Sequence, residues 1–388
     1  MLRDRTIAVL GGYGQAGRAV VRHLQEYTAA SIRVCGRRAE RLDALLHSLQ
    51  NNGAGGGRLA ACQADAADPE TLRRAFTGAD LVIVTANAAS HTANVARACL
   101  DAGCDYFDIL DSPDAVDLLG RFGAEVEKAG RLFVTQGGLA PGMPAALVRL
   151  AQSSFDCCQE CRLGLALSMK TLERFEQVYD VFDFVVRTRP VAYQEGAWRE
   201  ASFKDRRDID FGERFGRRQA FPIDMVELHI LPEQLGIEEL SICAGSPNWI
   251  ADYLTSRLIG GLHKIRPRLG WPTLARLVFR MAKSMANEPA GCSIVLDAWG
   301  KKEGRDRTAR YEVDHEDNYF ATAVAVTAFL KQYDGGVFNG ITGVRMMGHI
   351  IDPERSVRDL RAMGVDVRQG GESHDQCLAT RGTRGSGR

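Results

Sequence analysis

The stretch Thr6-Ile-Ala-Val-Leu-Gly-Gly-Tyr-Gly-Gln-Ala-Gly17 restricts the fold of this chain more than any other. An apolar run from Ile7 to Leu10 breaks into Gly12-x-Gly14-x-x-Gly17, and a helical pattern opens behind it with Ala16, Val20 and Leu24. Strand, tight turn and helix in that order form the setting in which a glycine fingerprint signifies dinucleotide binding; elsewhere the same glycines would be an ordinary turn. Gly12 permits the sharp turn, Gly14 lacks the Cβ that would hold a pyrophosphate off the backbone, and Gly17 lets the helix lie close to the strand. Tyr13, Gln15 and Ala16 complete the loop. The N–H groups at the helix start face the phosphates with the favourable end of the dipole.

The second apolar run, Ser31-Ile-Arg-Val-Cys35, ends where an NAD-specific domain places an acidic residue against the ribose hydroxyls. This chain reads Gly36-Arg37-Arg38 there instead. Two guanidinium groups suit a 2′-phosphate, which they grip through forked, charge-assisted hydrogen bonds. Cations are poorly placed at the start of the helix expected from Ala39 to Leu49, so a ligand explains them better than the helix does. NADP(H) is the expected cofactor.

Strand and helix patterns continue to alternate. Leu59–Gln63 reads as a third strand, and Asp68-Pro69-Glu70 has the cap, proline and acid of a helix start. Asp80–Thr85 is a buried fourth strand, followed by a helix from about Thr92 to Ala102. Tyr106–Leu110 and Leu132–Thr135 make a fifth and a sixth strand around a Pro113–Ala129 helix. Near-continuous apolar strands between amphipathic helices specify an α/β fold, a Rossmann-type doubly wound parallel sheet. Its ligands lie beyond the carboxyl ends of the strands, which singles out Asp65, then Thr85, Ala86 and Asn87, then Asp108 to Asp111, and Gln136 to Gly142.

After Pro144 the alternation is lost, and strand-like Cys161–Met169, Met225–Leu231 and Cys292–Trp299 stand among charged loops. A second, α+β domain for substrate binding and dimerisation is expected here. Asp317–Leu330 reads as a helix that is apolar nearly all round, with Asp317 at its cap, buried as the chain returns to the first domain. The expected organisation is a nucleotide domain over 1–142, the α+β domain over 143–315, a return segment over 316–367, and a disordered tail over 368–388.

A chain of 388 residues exceeds one comfortable core, and its 49 basic and 49 acidic residues cancel. No nucleic acid or acidic membrane is implied as a global partner. No leader and no bilayer-length apolar span stand out, so no stable membrane insertion is expected; a reducing cytoplasm is the default location, and a homodimer is expected. Cys35, Cys99, Cys104 and Cys292 read as small buried hydrophobes. Cys157-Cys158-x-x-Cys161 lacks a second ligand pair at zinc-site spacing, so no metal is expected. The charge balance fails locally: Arg257 to Lys283 holds seven Lys or Arg and no acid, among Leu, Ile, Val, Phe and Trp271. Pro267 and Pro272 break it into short helices, read first as a pair at a subunit interface, then as a substrate lid, and last as a membrane-surface element.

Several of these segments together resemble the saccharopine dehydrogenase-like oxidoreductases. They are Gly11-Gly-Tyr-Gly-Gln-Ala-Gly17, Cys35-Gly-Arg-Arg-Ala-Glu-Arg-Leu42, Asp80-Leu-Val-Ile-Val84, Cys99-x-x-x-Gly-Cys-Asp-Tyr-Phe-Asp108 and Gly137-Gly-Leu-Ala-Pro-Gly142. Later come Asp317-Asn-Tyr-x-Ala-Thr322, Ile351-Asp-Pro-Glu354 and Leu360-x-x-x-Gly364. The resemblance implies a nicotinamide-dependent enzyme that makes or breaks carbon–nitrogen bonds in amino acids or polyamines. It implies that the Gly12–Gly17 loop and Arg37 hold NADP(H), that Asp65 neighbours the adenine, and that Thr85 to Asn87 line the nicotinamide ribose. The chain departs from the family in two places. Thr85-Ala-Asn-Ala-Ala-Ser-His91 replaces an Asn-x-x-Gly-Pro-like stretch, and Pro247–Pro289 has no clear counterpart.

Hydride passes directly between the nicotinamide and an imine or amine carbon, so the protein must orient both, supply one general acid/base and fix the substrate's charges. His91, just past the fourth strand, titrates in the right range; its competing role is a solvent-facing helix start. Asp108 and Asp111 flank the end of the fifth strand and suit a substrate ammonium, unless Asp111 or Ser112 caps the next helix. Lys170, Tyr179, Arg187, Asp224 and His229 are further polar residues of the second domain. Two other functions fit the same scaffold: a carbonyl or C=C reductase, and a non-catalytic NADP(H) sensor.

Overall fold

Ile7, Ala8, Val9 and Leu10 are all buried because their strand, β1 (Thr6–Leu10), lies between two parallel neighbours. The protein is seen here as a computed structural model that describes residues 1–51, 58–245, 249–284 and 288–370. Its chain divides into two units, Met1–Ala146 with Tyr319–Val365, and Leu147–Asn318 with the residues from Asp366 onward.

In the first unit β1 is followed by β2 (Ser31–Gly36), β3 (Leu59–Gln63), β4 (Leu81–Val84), β5 (Asp105–Asp108) and β6 (Leu132–Thr135). Between them run α1 (Gln15–Tyr27), α2 (Ala39–Asn51), α3 (Pro69–Phe76), α4 (Thr92–Ala102), α5 (Pro113–Gly120) and α6 (Gly123–Lys128). A seventh strand, Gly343–Met346, comes from the return segment and pairs beside β6. The sheet order is Gly343–Met346, β6, β5, β4, β1, β2, β3, and every pairing is parallel. This is the expected Rossmann-type sheet, and its strand order reverses between β1 and β4, where such sheets take their ligands. One face packs Ala8, Leu10, Val82, Val84, Val95, Cys99 and Phe133. On Phe107 lies Phe329, ring centroids 4.6 Å apart, from the Asn318–Asp334 helix, whose residues Ala323 to Leu330 are all buried as its composition demands.

The helix expected over Pro113–Ala129 is broken in two. α5 ends at Gly120 and α6 begins at Gly123, and these two weak helix formers let the chain turn at Arg121-Phe122. β5 also stops at Asp108, short of Leu110, because the Asp108 carboxylate takes the N–H of Leu110.

The second unit holds a mixed sheet, in agreement with the expected α+β character. Its path runs Arg207–Asp210, Arg217–Pro222, Glu239–Gly245, Cys157–Leu167, Cys292–Lys302, Arg305–His315 and Asp366–Gly370, with Glu239–Gly245 parallel to Cys157–Leu167. Met225–Leu231, expected as a strand, is instead a 3₁₀ turn (Val226–Leu228) leading into a short helix (Leu231–Leu235). Its buried Met225, Leu228 and Leu231 recur every third residue rather than alternately, and Pro232 sits in the first helical turn. Arg368, Gln369 and Gly370, expected to begin a disordered tail, pair with Arg310–Glu312, and Arg368 meets Glu312 at 3.0 Å. The rest of that expected tail, 371–388, lies outside the described residues.

Candidate active site

The first unit's candidate site is built where β1 and β4 part. Gly11 and Gly12 donate their N–H groups to the Cys35 carbonyl at 2.8 and 3.1 Å, and Gly14 donates to Gly11 at 2.8 Å. The fingerprint glycines are then required for different reasons. A Cβ on Gly12 would stand 2.5 Å from Val34 Cγ1, and one on Gly17 would stand 2.3 Å from the Gly11 oxygen and 2.7 Å from Gly12 Cα. Packing alone forbids both. A Cβ on Gly14 would meet a single atom, the Gly11 oxygen at 3.2 Å. The protein itself does not fill the space in front of Gly14.

The start of α1 matches that space. Its cap position is Gly14, with no side-chain capping bond, and no acid stands in its first turn. By contrast α3 is capped by Asp68, α5 by Ser112 and the Pro353–Ala362 helix by Asp352. A phosphate supplies what those caps supply, negative charge and acceptor oxygens at a helix N-terminus. The residues therefore fit a dinucleotide.

At the end of β2, Arg37 and Arg38 are exposed, and Gly36 is buried under Tyr13: a Cβ there would lie 2.4 Å from Tyr13 Cε1. Arg41 stands over the Tyr13 ring, its guanidinium carbon 5.8 Å from the ring centroid. Gln63 Nε2 donates to the Arg37 carbonyl at 3.0 Å and ties the ends of β2 and β3 together. The sequence pattern did not single out Arg41 or Gln63. Asp65 shapes the turn after β3: its Oδ1 accepts from Ala67 N–H and its own N–H bonds Thr71 Oγ1, both at 3.0 Å.

Thr85 and Ala86 clasp the end of β1, their N–H groups and the Thr85 hydroxyl all reaching the Leu10 carbonyl. This brings the end of β4 against the glycine loop, where a Cβ on Gly17 would be 2.8 Å from Thr85 Oγ1. Asn87 is exposed beside them. His91 is half-buried, closes the Ala89–His91 3₁₀ turn and precedes α4 without capping it.

Asp108 is fully buried. Tyr106 Oη donates to it at 2.7 Å, Thr135 Oγ1 reaches both carboxylate oxygens at 2.9–3.0 Å, and Leu110 and Gln136 give N–H bonds at 3.0 and 3.2 Å. Burial nevertheless pushes its pKa up to about 6 against these donors. Its carboxylate joins β5 to β6. Asp111 is exposed, and Ser112, not Asp111, caps α5 by accepting from Ala115 N–H.

Immediately after β6 stands a residue that no sequence pattern marked individually. Gln136 is fully buried with φ +54°, a left-handed backbone rare for a side chain of its kind, and neither Oε1 nor Nε2 has a partner among the described residues. Such an amide is costly unless something else bonds it. The loop continues through Gly138 and Gly142, both with positive φ, and a cis Ala140–Pro141 bond.

In the second unit the polar candidates have structural partners. Lys170 Nζ bonds the Glu288 carbonyl, Arg187 bonds the Asp183 carbonyl at 3.1 Å, and Tyr179 packs beside Trp271. His229 Nε2 lies 2.6 Å from Asp224 Oδ1, with the Trp198 ring 4.9 Å from the imidazole. Cys158 and Cys161 have their sulfurs 3.5 Å apart, and among the described residues no group of three or more ligating side chains could hold a metal.

Comparison with known proteins gives three findings. Residues 7–134 match the family profile of the saccharopine dehydrogenase NADP binding domain. A probable mitochondrial saccharopine dehydrogenase-like oxidoreductase of Arabidopsis thaliana is 29% identical over 150 residues, 36% of this chain. That match spans about 33% of the plant protein's own length. The apo saccharopine dehydrogenase (L-Glu forming) of Saccharomyces cerevisiae superposes with a TM-score of 0.70 at 12% identity, over 95% of this chain and 100% of the yeast one, a likeness of fold.

Proposed function

We propose that this chain, whose residues 7–134 form an NADP-binding domain of the saccharopine dehydrogenase type, is an NADP(H)-dependent oxidoreductase acting on a carbon–nitrogen bond of a small amino acid or polyamine-like metabolite. The observation that carries the reading is the empty face of Gly14 at an uncapped helix start, with Arg37 and Arg38 at the end of the neighbouring strand. NADP(H), when bound, supplies or accepts the hydride at its nicotinamide ring.

The chain's own residues do the rest. The Gly12–Gly17 loop receives the pyrophosphate, with the N–H groups of the first turn of α1 facing it, and Arg37 and Arg38 hold the 2′-phosphate by charge-assisted hydrogen bonds. Thr85, Ala86 and Asn87 line the ribose next to the reacting ring. Gln136 has one donor group and one acceptor without partners among the described residues, a pattern complementary to a primary carboxamide such as that of nicotinamide. His91 carries the proton that accompanies amine or imine chemistry, and exposed Asp111 meets the substrate ammonium. Asp108, engaged by four donors, positions β5 against β6 rather than touching substrate. A homodimer and a cytoplasmic location belong to the same proposal.

Parallel titration with NADPH and NADH, followed by reduced-nicotinamide fluorescence, tests the cofactor half; a preference for NADH refutes the phosphate clamp. Turnover of keto acids must then require an amine donor. Reduction of a carbonyl or C=C bond without one would replace the carbon–nitrogen reading by a simple reductase.

A further inference from the structure

Five of the eight large apolar side chains exposed among the described residues fall in one short stretch: Leu258, Ile265, Leu269, Leu277 and Met281. They belong to a helical hairpin of the second unit, Trp249–Ile265 and Trp271–Ser284. Its inner side is covered, since Ile259, Trp271 and Ala275 pack on Val178 and Phe182. The outer side of Trp271–Ser284 is a continuous face. Thr273, Arg276, Leu277, Arg280, Met281 and Ser284 are all exposed, and each lies three or four residues from another of the set, the spacing of one helix face. Leu277 and Met281, 54% and 47% exposed, form its apolar ridge, with Arg276 and Arg280 alongside. On the first helix Leu258 and Ile265 are exposed seven residues apart, beside Lys264, and Ile265 is 76% exposed.

The charge of this stretch is one-sided. Residues 257–283 hold seven Lys or Arg and no acid, in a chain whose 49 basic and 49 acidic residues cancel overall. From the adjoining segment Asp183 pairs with Arg268 at 3.1 Å and Glu176 interacts with Arg276, which leaves a cationic surplus.

Three occupants can be weighed. A nucleic acid would use the cations but leave the aliphatic ridge in water. A second copy of this chain would cover the ridge, but across a twofold axis it would set the same cations against one another. Anionic headgroups above acyl chains match both features in their observed arrangement: aliphatic tips enter the interface while long basic side chains reach back to the phosphates. We propose that the Trp249–Ser284 hairpin docks this protein reversibly on an anionic lipid surface. The attachment is peripheral, as no helix among the described residues is long and apolar enough to cross a membrane. It stands independently of the proposed function, because that reading uses no residue of the hairpin.

Flotation of the full chain with phosphatidylcholine vesicles, with and without phosphatidylserine, tests this. Binding is expected only to the anionic vesicles and is expected to fall as salt rises. Leu277→Glu with Met281→Glu, and separately Lys264→Glu with Arg280→Glu, are each expected to weaken it about tenfold or more. All four side chains are exposed, so circular dichroism and NADPH titration should match the parent protein. No binding to anionic vesicles overturns the proposal, as does binding that ignores lipid charge or is unchanged in both variants. If Leu277→Glu with Met281→Glu instead converts a dimer to a monomer and vesicles bind neither protein, the face belongs to a second copy.

Discussion

Replacing Gly14 and Gly17 separately by alanine divides the glycine loop's two tasks. At Gly17 the new methyl would lie 2.3 Å from the Gly11 oxygen and 2.7 Å from Gly12 Cα, both backbone atoms that cannot swing aside. Overpacking of this kind costs about 1–3 kcal/mol or more, and the better helix propensity of alanine returns at most about 1 kcal/mol. A net loss of about 2 kcal/mol lowers the melting temperature of a unit this size by roughly 4–8 °C. At Gly14 the methyl meets one atom at 3.2 Å, and φ −67° with ψ 170° suits any residue. The change costs only about 0.5 kcal/mol, the difference between glycine and alanine at a helix cap. That methyl stands where the pyrophosphate must approach, and a clash of about 1–3 kcal/mol weakens NADPH binding by about 5- to 150-fold. Thermal melting read beside NADPH fluorescence titration should show Gly17→Ala failing in stability and Gly14→Ala failing in affinity alone. A Gly14→Ala protein that binds NADPH as tightly as its parent would refute the argument, since the space before Gly14 would then serve nothing.

Arg37→Asp should weaken NADPH by about tenfold or more while leaving NADH nearly unchanged, because a charged hydrogen bond to the 2′-phosphate is worth about 1.5–3 kcal/mol; equal losses would make Arg37 structural. Gln136→Leu removes a buried amide that has no partner among the described residues, so the free protein should melt higher while NADPH binds less tightly. A lower melting temperature with unchanged affinity would refute that role. Asp108 titrates near pH 6 in the folded protein, above the usual carboxylate range. Its contribution to stability is therefore full below the unfolded-state value and is lost as pH rises through about 6. Melting curves from pH 4 to 8 should show the parent losing stability relative to Asp108→Asn, and parallel curves would contradict the assignment.

Features with a local physical cause were legible in the sequence. The glycine loop is one, since strand, glycine turn and helix follow one another directly in the chain, although the side chain that excludes a Cβ at Gly12 is that of Val34 on the next strand. The Asn318–Asp334 helix is another, because a segment apolar on every side has nowhere to go but inside. The Met225–Leu231 segment misled because a short apolar run has no unambiguous period until Pro232 and its buried partners are placed. Asp108 has the composition of a catalytic carboxylate, and only the convergence of Tyr106, Thr135, Leu110 and Gln136 shows its oxygens to be engaged. Gln136 carried no individual signal, because its character lies in a backbone angle and in missing partners, neither of which a sequence records. The basic segment was visible from its charge, but which side its leucines face depended on the packing of Trp271 and Ala275.

The seventh strand of the nucleotide unit, Gly343–Met346, and the helix that covers Phe107 are encoded about 200 residues after β6. On the ribosome, β6 must wait with one edge unpaired and Phe107 uncovered while Leu147–Asn318 of the second unit is made. At about 5–20 residues per second that interval lasts roughly 10–40 s. An apolar strand edge held open for so long is a template for wrong partners, so nascent chains of this protein should depend on chaperones until the return segment emerges. For the same reason an N-terminal fragment ending after β6 would contain the whole glycine loop and still aggregate before it could use it.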